Sequence, residues 1–455
     1  MDLYGHLKPT FISLALLALA GCSTLPGSDL APAADSSRTS IEAWQYTQTD
    51  AAAVSQITDL VSSTELDALV AQALQQNPGL QQTALALQIA RANRQISAAE
   101  RLPSAALGLS ESRAEDTDTS YNANVSISWE LDLWHKLGDG VSAAEMEFAS
   151  SSAELQAARD LLSASVMQAW LDIVLRRQLI TIETERLAIL ESNETLITQR
   201  YRSGLGDLEA LDNARSNSAS TRSTLAGYRQ DLASSERSLQ QLLGLQGLQA
   251  QLPQAREFPQ VITPLAALPD QDLARRPDLQ QAYYNILAAG FRSEVAYKEL
   301  LPSFNLSAAL SDLAASPADA LLTSPAWSLL GQITAPLFQG GRLRAAAEVA
   351  RLSAEQQFYA YQQTLLTAVT EVNNALGQEQ ALQQQQQHLS DALASARRSA
   401  TSYESKYRQG LVDILDLLTV QQQAFNLQAQ LTQITYQRLA NRIDLGLALG
   451  LGVTS

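Results

Sequence analysis

The sequence predicts a mostly helical protein in which one unit, a β-hairpin followed by long antiparallel coiled-coil helices, is written twice. Three observations carry that prediction. The stretch Tyr121–Trp134 (YNANVSISWELDLW) sets Tyr121, Ala123, Val125, Ile127, Trp129, Leu131 and Leu133 against Asn122, Asn124, Ser126, Ser128, Glu130 and Asp132. This is the period-two alternation of a strand with one apolar and one polar face. Between Gly140 and Arg202 there is neither proline nor glycine, room for a helix of roughly 100 Å at 1.5 Å per residue. Finally, landmarks of the first half return in the second at spacings of 199 and then 206 residues, the mark of an internal duplication.

At 455 residues the chain is long enough for two or three ordinary domains or one elongated architecture. Its net charge of −16 excludes the basic stripe of a nucleic-acid binder. Only 17% of its residues are charged, a composition suited to helices that pack through small side chains and keep wet polar faces.

Phe11–Ala20 (FISLALLALA) is too short to span a bilayer as a helix and follows Lys8, as in a signal peptide. Leu19-Ala20-Gly21-Cys22 resembles the bacterial lipobox, and Cys22 is the single cysteine, so no internal disulfide can form. By that resemblance, cleavage leaves Cys22 as an acylated N-terminus, a covalent lipid that anchors without spanning. Ser23, rather than Asp, after it favours export to the outer membrane. Residues 23–40 are rich in Pro, Ser, Ala and Asp and read as an extended linker.

Helix formers dominate from Ser63 to Arg101, with Ser63 or Thr64 as N-cap ahead of Glu65 and Asp67. Asn77-Pro78-Gly79 interrupts the run and Pro103 ends it. A weaker alternating strand (Ala105, Leu107, Leu109) leads to an acidic tip at Glu111, Glu115, Asp116 and Asp118, from which the Tyr121–Trp134 strand returns. In the long helix Val166, Ile173, Ile180 and Leu187 recur every seven residues, and Leu190 and Ile197 continue a neighbouring seam, as in a coiled coil. The helix breaks at Tyr201–Asp207 (YRSGLGD), and a second runs from about Glu209 to Leu243, before Gly244.

The programme then repeats. Arg276-Pro277-Asp278-Leu279 echoes Asn77-Pro78-Gly79-Leu80 at a spacing of 199 (277 − 78), and Leu301-Pro302-Ser303 echoes Leu102-Pro103-Ser104. Phe304, Leu306, Ala308 and Leu310 share one strand face; Trp327, Leu329, Ile333, Ala335 and Leu337 share another. Tyr407–Leu411 (YRQGL) repeats Tyr201–Leu205 (YRSGL) at 206 (407 − 201). The glutamines of QEQALQQQQQH at 378–388 read as a solvated helical face. The chain therefore divides into a signal peptide at 1–21, a lipid anchor and N-terminal linker at 22–60, a first repeat at 61–250, a connector at 251–269 and a second repeat at 270–455. The expected strands are about 103–112 and 119–134, then 302–312 and 325–338.

Alone, one two-faced strand reads as half of a soluble sheet. Four of them in lipid cannot close a barrel, which takes about eight, and an open sheet would leave edges that a bilayer does not tolerate. If they lie in the membrane, the chain must oligomerise. A trimer would supply 3 × 4 = 12 strands for a closed β-barrel and gather the helices into a tunnel below it.

Trp129-Glu130-Leu131-Asp132-Leu133-Trp134, Arg276-Pro277-Asp278-Leu279, Pro336-Leu337-Phe338-Gln339-Gly340-Gly341 and both YRxGL turns resemble signatures of the TolC-like outer-membrane factors. The lipobox places the resemblance in their lipoprotein efflux subgroup, and it covers the chain from about residue 40 to the end. His135 departs from the glycine common after the strand motif. The resemblance implies a homotrimeric exit duct in the outer membrane of a Gram-negative bacterium, extending into the periplasm. It implies passive conduction of what an inner-membrane pump, of the resistance-nodulation-division type, delivers through a periplasmic adaptor.

Catalysis is not expected, and neither is a metal or cofactor beyond the lipid. Apart from the leader, the histidines are His135 and His388, read as turn or surface residues, and no catalytic or phosphate-binding motif is present. The resemblance puts the helical turns at the periplasmic tip, with Gly204, Leu205, Gly410 and Leu411 as the adaptor contact. It matches Asp416 to the first of two inward acidic positions at the channel aperture; Thr419 occupies the second, and Asp413 supplies nearby charge. Asp207, Glu209 and Asp212 are the first-repeat candidates, although acids at a helix start also serve as plain caps. Tyr121, Trp129, Trp134, Phe304 and Trp327 are the expected membrane-strand aromatics, with Trp129 and Trp134 near the periplasmic interface. Two alternatives stay open: an exit duct for type I protein secretion, and a lipid-anchored coiled-coil scaffold with no pore.

Overall fold

The computed structural model describes residues 30–41, 44, 51–115, 118–245, 254–265, 273–320, 322–323 and 325–453. The signal peptide, the lipobox with Cys22, and Asp116 lie outside them. In chain order the elements begin with α1 (Leu30–Thr39), β1 (Ala51–Ala52) and a 3-10 turn over Ile57–Leu60. The first repeat supplies α2 (Thr64–Gln76), α3 (Pro78–Ala99), β2 (Ser104–Ser112), β3 (Ser120–Glu130), α4 (Lys136–Arg202) and α5 (Leu208–Leu242). After β4 (Thr263–Pro264) come α6 (Pro277–Lys298), β5 (Ser303–Ala314), β6 (Ala326–Thr334), α7 (Arg342–Arg408) and α8 (Ile414–Ala448).

The duplication is realised most closely in the helices. The helices α3 and α6 are each 22 residues long, α4 and α7 each 67, and α5 and α8 each 35. The chain forms two compact units, one holding 30–38, 89–150 and 281–363 and the other 39–88, 151–280 and 364–453.

The first unit contains an antiparallel sheet in the order β2-β3-β5-β6. Its register aligns the alternation of all four strands. Leu107, Val125, Leu310 and Trp327 stand in one row, and Ala105, Ile127, Ala308 and Leu329 in the next on the same face. The opposite face carries rows such as Ser104, Ser128, Ser307 and Leu330, with the Ser104 and Ser128 hydroxyls 2.8 Å apart. Two hairpins thus become one two-faced sheet.

Both return strands stop short of the expected ends. The strand β3 closes at Glu130 rather than Trp134 because Asp132 turns to cap α4, accepting from the backbone N–H of Leu137 (3.0 Å) and Gly138 (2.8 Å). That cap lets the helix start at Lys136, upstream of Gly138 and Gly140. His135 takes up the turn with φ 61°, a left-handed conformation that glycine adopts at less cost. Its counterpart 206 residues on is Gly341, φ 84°. In the second repeat β6 ends at Thr334, two residues before Pro336, which cannot donate to a ladder.

The N-terminal segment is more ordered than a linker. Within 23–40, α1 tolerates Pro32 because it falls in the first turn, where the N–H has no helical partner. Ala34 is fully buried, and the Asp35 carboxylate accepts from the Tyr283 hydroxyl at 3.3 Å. Tyr283 in turn lies 6.5 Å, ring to ring, from the buried Tyr361. Within 41–60, Ile57 and Leu60 join the core of the second unit with Leu66, Met167, Trp170, Ile173 and Leu239. Ser63 caps α2, accepting from Leu66 N–H at 3.3 Å.

The connector is also built in. Its β4 pairs in parallel with β1, and Val261 and Thr263 are buried. One arginine from each repeat holds it. Arg177, paired with Glu236, donates to the Ala255 carbonyl (3.2 Å); Arg442, paired with the fully buried Glu379, donates to the Val261 carbonyl. Glu236 and Arg442 occupy equivalent places (442 − 236 = 206), so duplicated positions carry opposite charge. Elsewhere Val166, Ile173, Leu190 and Ile197 of the expected coiled-coil seam are buried, whereas Ile180 and Leu187 are only half-buried and Leu179 and Ile182 take the inner places between them. Gln380, Gln384 and Gln385 are exposed along the glutamine-rich stretch, while Glu379 and Leu382 face inward.

The helix C-termini generate a graded test. Gly204 and Gly244 both have φ 72°, but a Cβ at 204 meets nothing within 4 Å, whereas at 244 it would lie 2.3 Å from the Gln76 carbonyl oxygen. Gly204→Ala should cost about 1–2 kcal/mol from the backbone conformation alone. Gly244→Ala should cost a further 1–3 kcal/mol for the clash. Thermal unfolding of the two variants checks this, and equal losses would contradict it.

Candidate functional site

The sheet presents an apolar surface with its outer edges open: β2 and β6 each have only one strand partner among the described residues. Trp327 is 77% exposed on the apolar face. Trp129 keeps its ring on that face while its indole N–H donates to the Arg101 carbonyl at 3.0 Å. Phe304 stands where β5 begins, and Tyr121 near the start of β3 is half-buried. Trp134 is not a strand residue. It lies beyond Glu130, donates to the Pro302 carbonyl at 2.7 Å and packs on Phe304 with ring centroids 6.3 Å apart. It therefore clamps the entry of β5 to the turn after β3. Two acids fall on the apolar face: Glu111, exposed beside Tyr121 near the hairpin end, and Asp312, in register with buried Ala123, which is 7% exposed and accepts from the Thr323 hydroxyl at 3.4 Å. Alternation alone gave no signal for Asp312.

The two helical turns share one hydrogen-bond pattern. Gly204 N–H donates to Tyr201 O and Leu205 N–H to Arg200 O; Gly410 N–H donates to Tyr407 O and Leu411 N–H to Lys406 O. This is the Schellman closure, with the glycine at φ 72° and 74°. The same closure recurs at Gly244-Leu245 and Gly450-Leu451. The leucines differ. Leu245 packs on the core and Leu451 is buried, whereas Leu205 and Leu411 are 73% and 67% exposed. The exposed pair is left over after local structure has been satisfied.

Beneath these turns Leu190, Ile197, Leu211, Ala214, Ile414, Leu417 and Leu418 form a small core. Asp207 is a plain N-cap, accepting from Ala210 N–H at 2.6 Å. Asp413 holds the equivalent place in α8 but makes no capping bond. Asp413, Asp416 and Thr419 are exposed, three residues apart, on the side away from Ile414, Leu417 and Leu418. The Thr419 hydroxyl is turned back to the Leu415 carbonyl at 2.8 Å, so its methyl and oxygen are held close to the helix. The structure thus brings the three expected aperture residues onto one strip.

The Arg276-Pro277-Asp278-Leu279 motif is structural. Arg276 is buried and donates to the Ala448 carbonyl (3.1 Å), to Asp278 (2.7 Å) and to Glu371 (2.8 Å). Burial works against its charge, but the two carboxylates outweigh that and raise its pKa. In the first repeat Asn77 plays the part, donating to the Leu242 carbonyl at 2.9 Å, the equivalent of Ala448. A cleft of about 670 Å³ beside Arg276 is also lined by Asp160 and Asp444. Asp160, 3% exposed, accepts from Val453 N–H (2.9 Å) and Gln156 Nε2 (2.8 Å), fastening the C-terminal segment. No helix among the described residues is long and apolar enough to cross a membrane, and no group of metal-ligating residues is found among them.

A family model described as outer membrane efflux protein matches residues 69–245 and 268–451. The cation efflux system protein CusC of Escherichia coli is 28% identical over 400 residues, covering 85% of this chain and 86% of its own. The pyoverdine export outer membrane protein OpmQ of Pseudomonas putida is 29% identical over 409 residues, covering 86% and 87%. The crystal structure of CusC superposes with a TM-score of 0.80 at 25% identity over 90% of this chain and 99% of that one.

Burial pushes the Asp160 carboxyl above its ordinary pKa, against the lowering effect of its hydrogen bonds. The folded state then binds this proton more tightly than the unfolded state, so stability falls as pH rises from the unfolded value through the raised folded one. Asp160→Asn keeps an acceptor for Val453 and removes the charge. The variant should melt higher than the parent at neutral pH, with the gap closing on acidification; a variant that melts lower at neutral pH would refute the assignment.

Proposed function

The chain belongs to the outer membrane efflux protein family, and from that premise we propose how its surfaces assemble into a duct. It is an outer-membrane efflux channel component and not an enzyme. Three copies close the sheet, the outer edge of β6 in one protomer pairing with β2 of the next, to give a barrel of 12 strands. The observation that carries this is the unbroken apolar row across β2, β3, β5 and β6 between two open edges. Such a sheet in lipid has no stable monomeric form, because unpaired backbone groups there cost several kcal/mol each. The apolar face meets lipid and the Ser/Asn face lines the exit. The long helices of the trimer form the periplasmic tunnel. Acylated Cys22 adds a lipid anchor. A pore-free scaffold would have no use for these faces.

Export is passive, energised by an inner-membrane pump of the resistance-nodulation-division type and relayed by a periplasmic adaptor. Leu205 and Leu411 are the adaptor contact, being the two closure leucines that the chain does not bury. Asp416, with Asp413 beside it, rings the aperture in three copies; carboxylates around a constriction attract cations. Thr419 leaves this ring single.

Two measurements follow. Leu205→Asp with Leu411→Asp should abolish cross-linking to the adaptor in cells while heat-modifiable trimers persist in the outer-membrane fraction. Retained cross-linking would remove the leucines from the contact, and absence of trimers in the parent would remove the duct. In planar bilayers, Asp416→Ala should raise conductance or weaken cation block; unchanged conductance and block would exclude it from the aperture.

A further inference from the structure

The segment after β6 carries two large apolar side chains in the open. Leu337 is 95% exposed and Phe338 89%, the highest values among the described large apolar residues. Loss of structure is not the reason. The following turn is formed, with Arg342 N–H donating to the Gln339 carbonyl at 3.1 Å and α7 beginning directly.

The other repeat shows what has been given up. The residues 206 positions upstream of Leu337 and Phe338 are Leu131 and Asp132. Asp132 caps α4 through two backbone N–H groups. Phe338 stands in its place, so the second repeat exchanges a stabilising cap for an aromatic ring in the open. Replacing a capping carboxylate by a residue that cannot cap weakens a helix start, and an exposed phenyl ring gains nothing in water. The exchange needs a compensating contact outside the protomer.

The surroundings indicate which contact. Leu337 has the parity of Trp327, Leu329 and Ile333, so it extends the apolar face of β6 just past the last ladder residue, Thr334. A cleft of about 730 Å³ lies against the segment, with Leu131, Leu133, Trp134, Leu337 and Phe338 among its apolar lining and Arg342 at its polar side. Lys136 and Lys298 in the same cleft are neutralised by Glu130 and Asp139; its other acids are Asp132, held by the α4 N–H groups, and the exposed Glu299. Arg342 reaches only the neutral Gln339 side chain, at 2.6 Å. A strip of apolar side chains ending in one cation without a carboxylate partner matches a molecule with acyl chains and a phosphate.

We propose that Leu337 and Phe338 are an interfacial wedge that holds a membrane phospholipid, its tails along the two side chains and its phosphate on Arg342. The inference rests on the reading that the apolar face of the strands meets lipid. It places the wedge at the boundary where the strands hand over to the helices. The same contact sets the depth of the sheet in the bilayer, since Pro336 and the formed turn fix the two side chains relative to β6.

Site-specific photocross-linking in outer membranes tests both levels. Leu329, Leu337 and Phe338 are replaced one at a time by p-benzoylphenylalanine, and adducts are weighed. Phospholipid adducts at all three sites are expected, with the yield at 338 reduced several-fold by Arg342→Gln. Lipid adducts at 329 accompanied at 337 and 338 by a second copy of the chain, or by no adduct, would overturn the wedge alone. Absence of lipid adducts at 329 would overturn the lipid face itself. Phe338→Asp supplies a readout that plain packing would not give. Restoring the cap should leave the melting temperature of the detergent-solubilised protein equal or higher while the inserted fraction falls. A lower melting temperature with normal insertion would show Phe338 to be a packing residue only.

Discussion

The backbone groups along the outer edges of β2 and β6 set the terms for the rest of the molecule. In water an open edge is merely a liability; in hydrocarbon it is forbidden. Everything distinctive about the sheet suits an edge-to-edge closure. Its register keeps every row of side chains on one face, so that adding neighbours extends two continuous surfaces rather than mixing them. The aromatic clamp of Trp134 on Pro302 and Phe304 fixes one hairpin against the next at the point where the strands begin. The protomer supplies a prefabricated third of a wall.

Much of this was legible in the residues. Period-two alternation gave the strand faces, seven-residue spacing gave the helical seam, and the return of Gly-Leu pairs gave the turns. These are local rules: glycine at φ near 72° is required by backbone sterics, whatever the rest of the chain does. What escaped the reading depended on long-range partners. Residues 41–60 looked like linker because Ile57 and Leu60 are isolated apolar residues, and only the packed core shows where they go. The helix α1 hid behind a composition of Pro, Ser and Ala that also suits extended chain. The strand ends were misjudged because Asp132 and Pro336 act on backbone geometry without disturbing the alternation.

Among the candidate site residues, the sequence set Asp416 ahead of Asp207 and Asp413, which read equally well as helix caps, and marked Leu205 and Leu411 for the adaptor contact. The structure adds what each side chain does locally. Asp207 is consumed as a cap while Asp413 is not, and Leu451 is consumed by the core while Leu411 is not. Asp160 and Asp312 had no sequence signal at all, since each is an ordinary acid whose meaning comes from burial against distant neighbours. The same comparison of repeats explains the Arg276 motif: its counterpart Asn77 donates to the equivalent helix-end carbonyl without a charge.

The connector carries a consequence of a different kind. A duplicated chain begins with two identical halves, but the segment that joins them exists once and cannot be symmetric to both. Here it is grasped through Ala255 by Arg177 on α4 of one half, and through Val261 by Arg442 on α8 of the other. Glu236 and Arg442 stand at equivalent positions with opposite sign, each suited to the contact its own half makes. The two halves have become left and right hands of a single clasp. Neither could now replace the other, which makes the fusion of the repeats a one-way step.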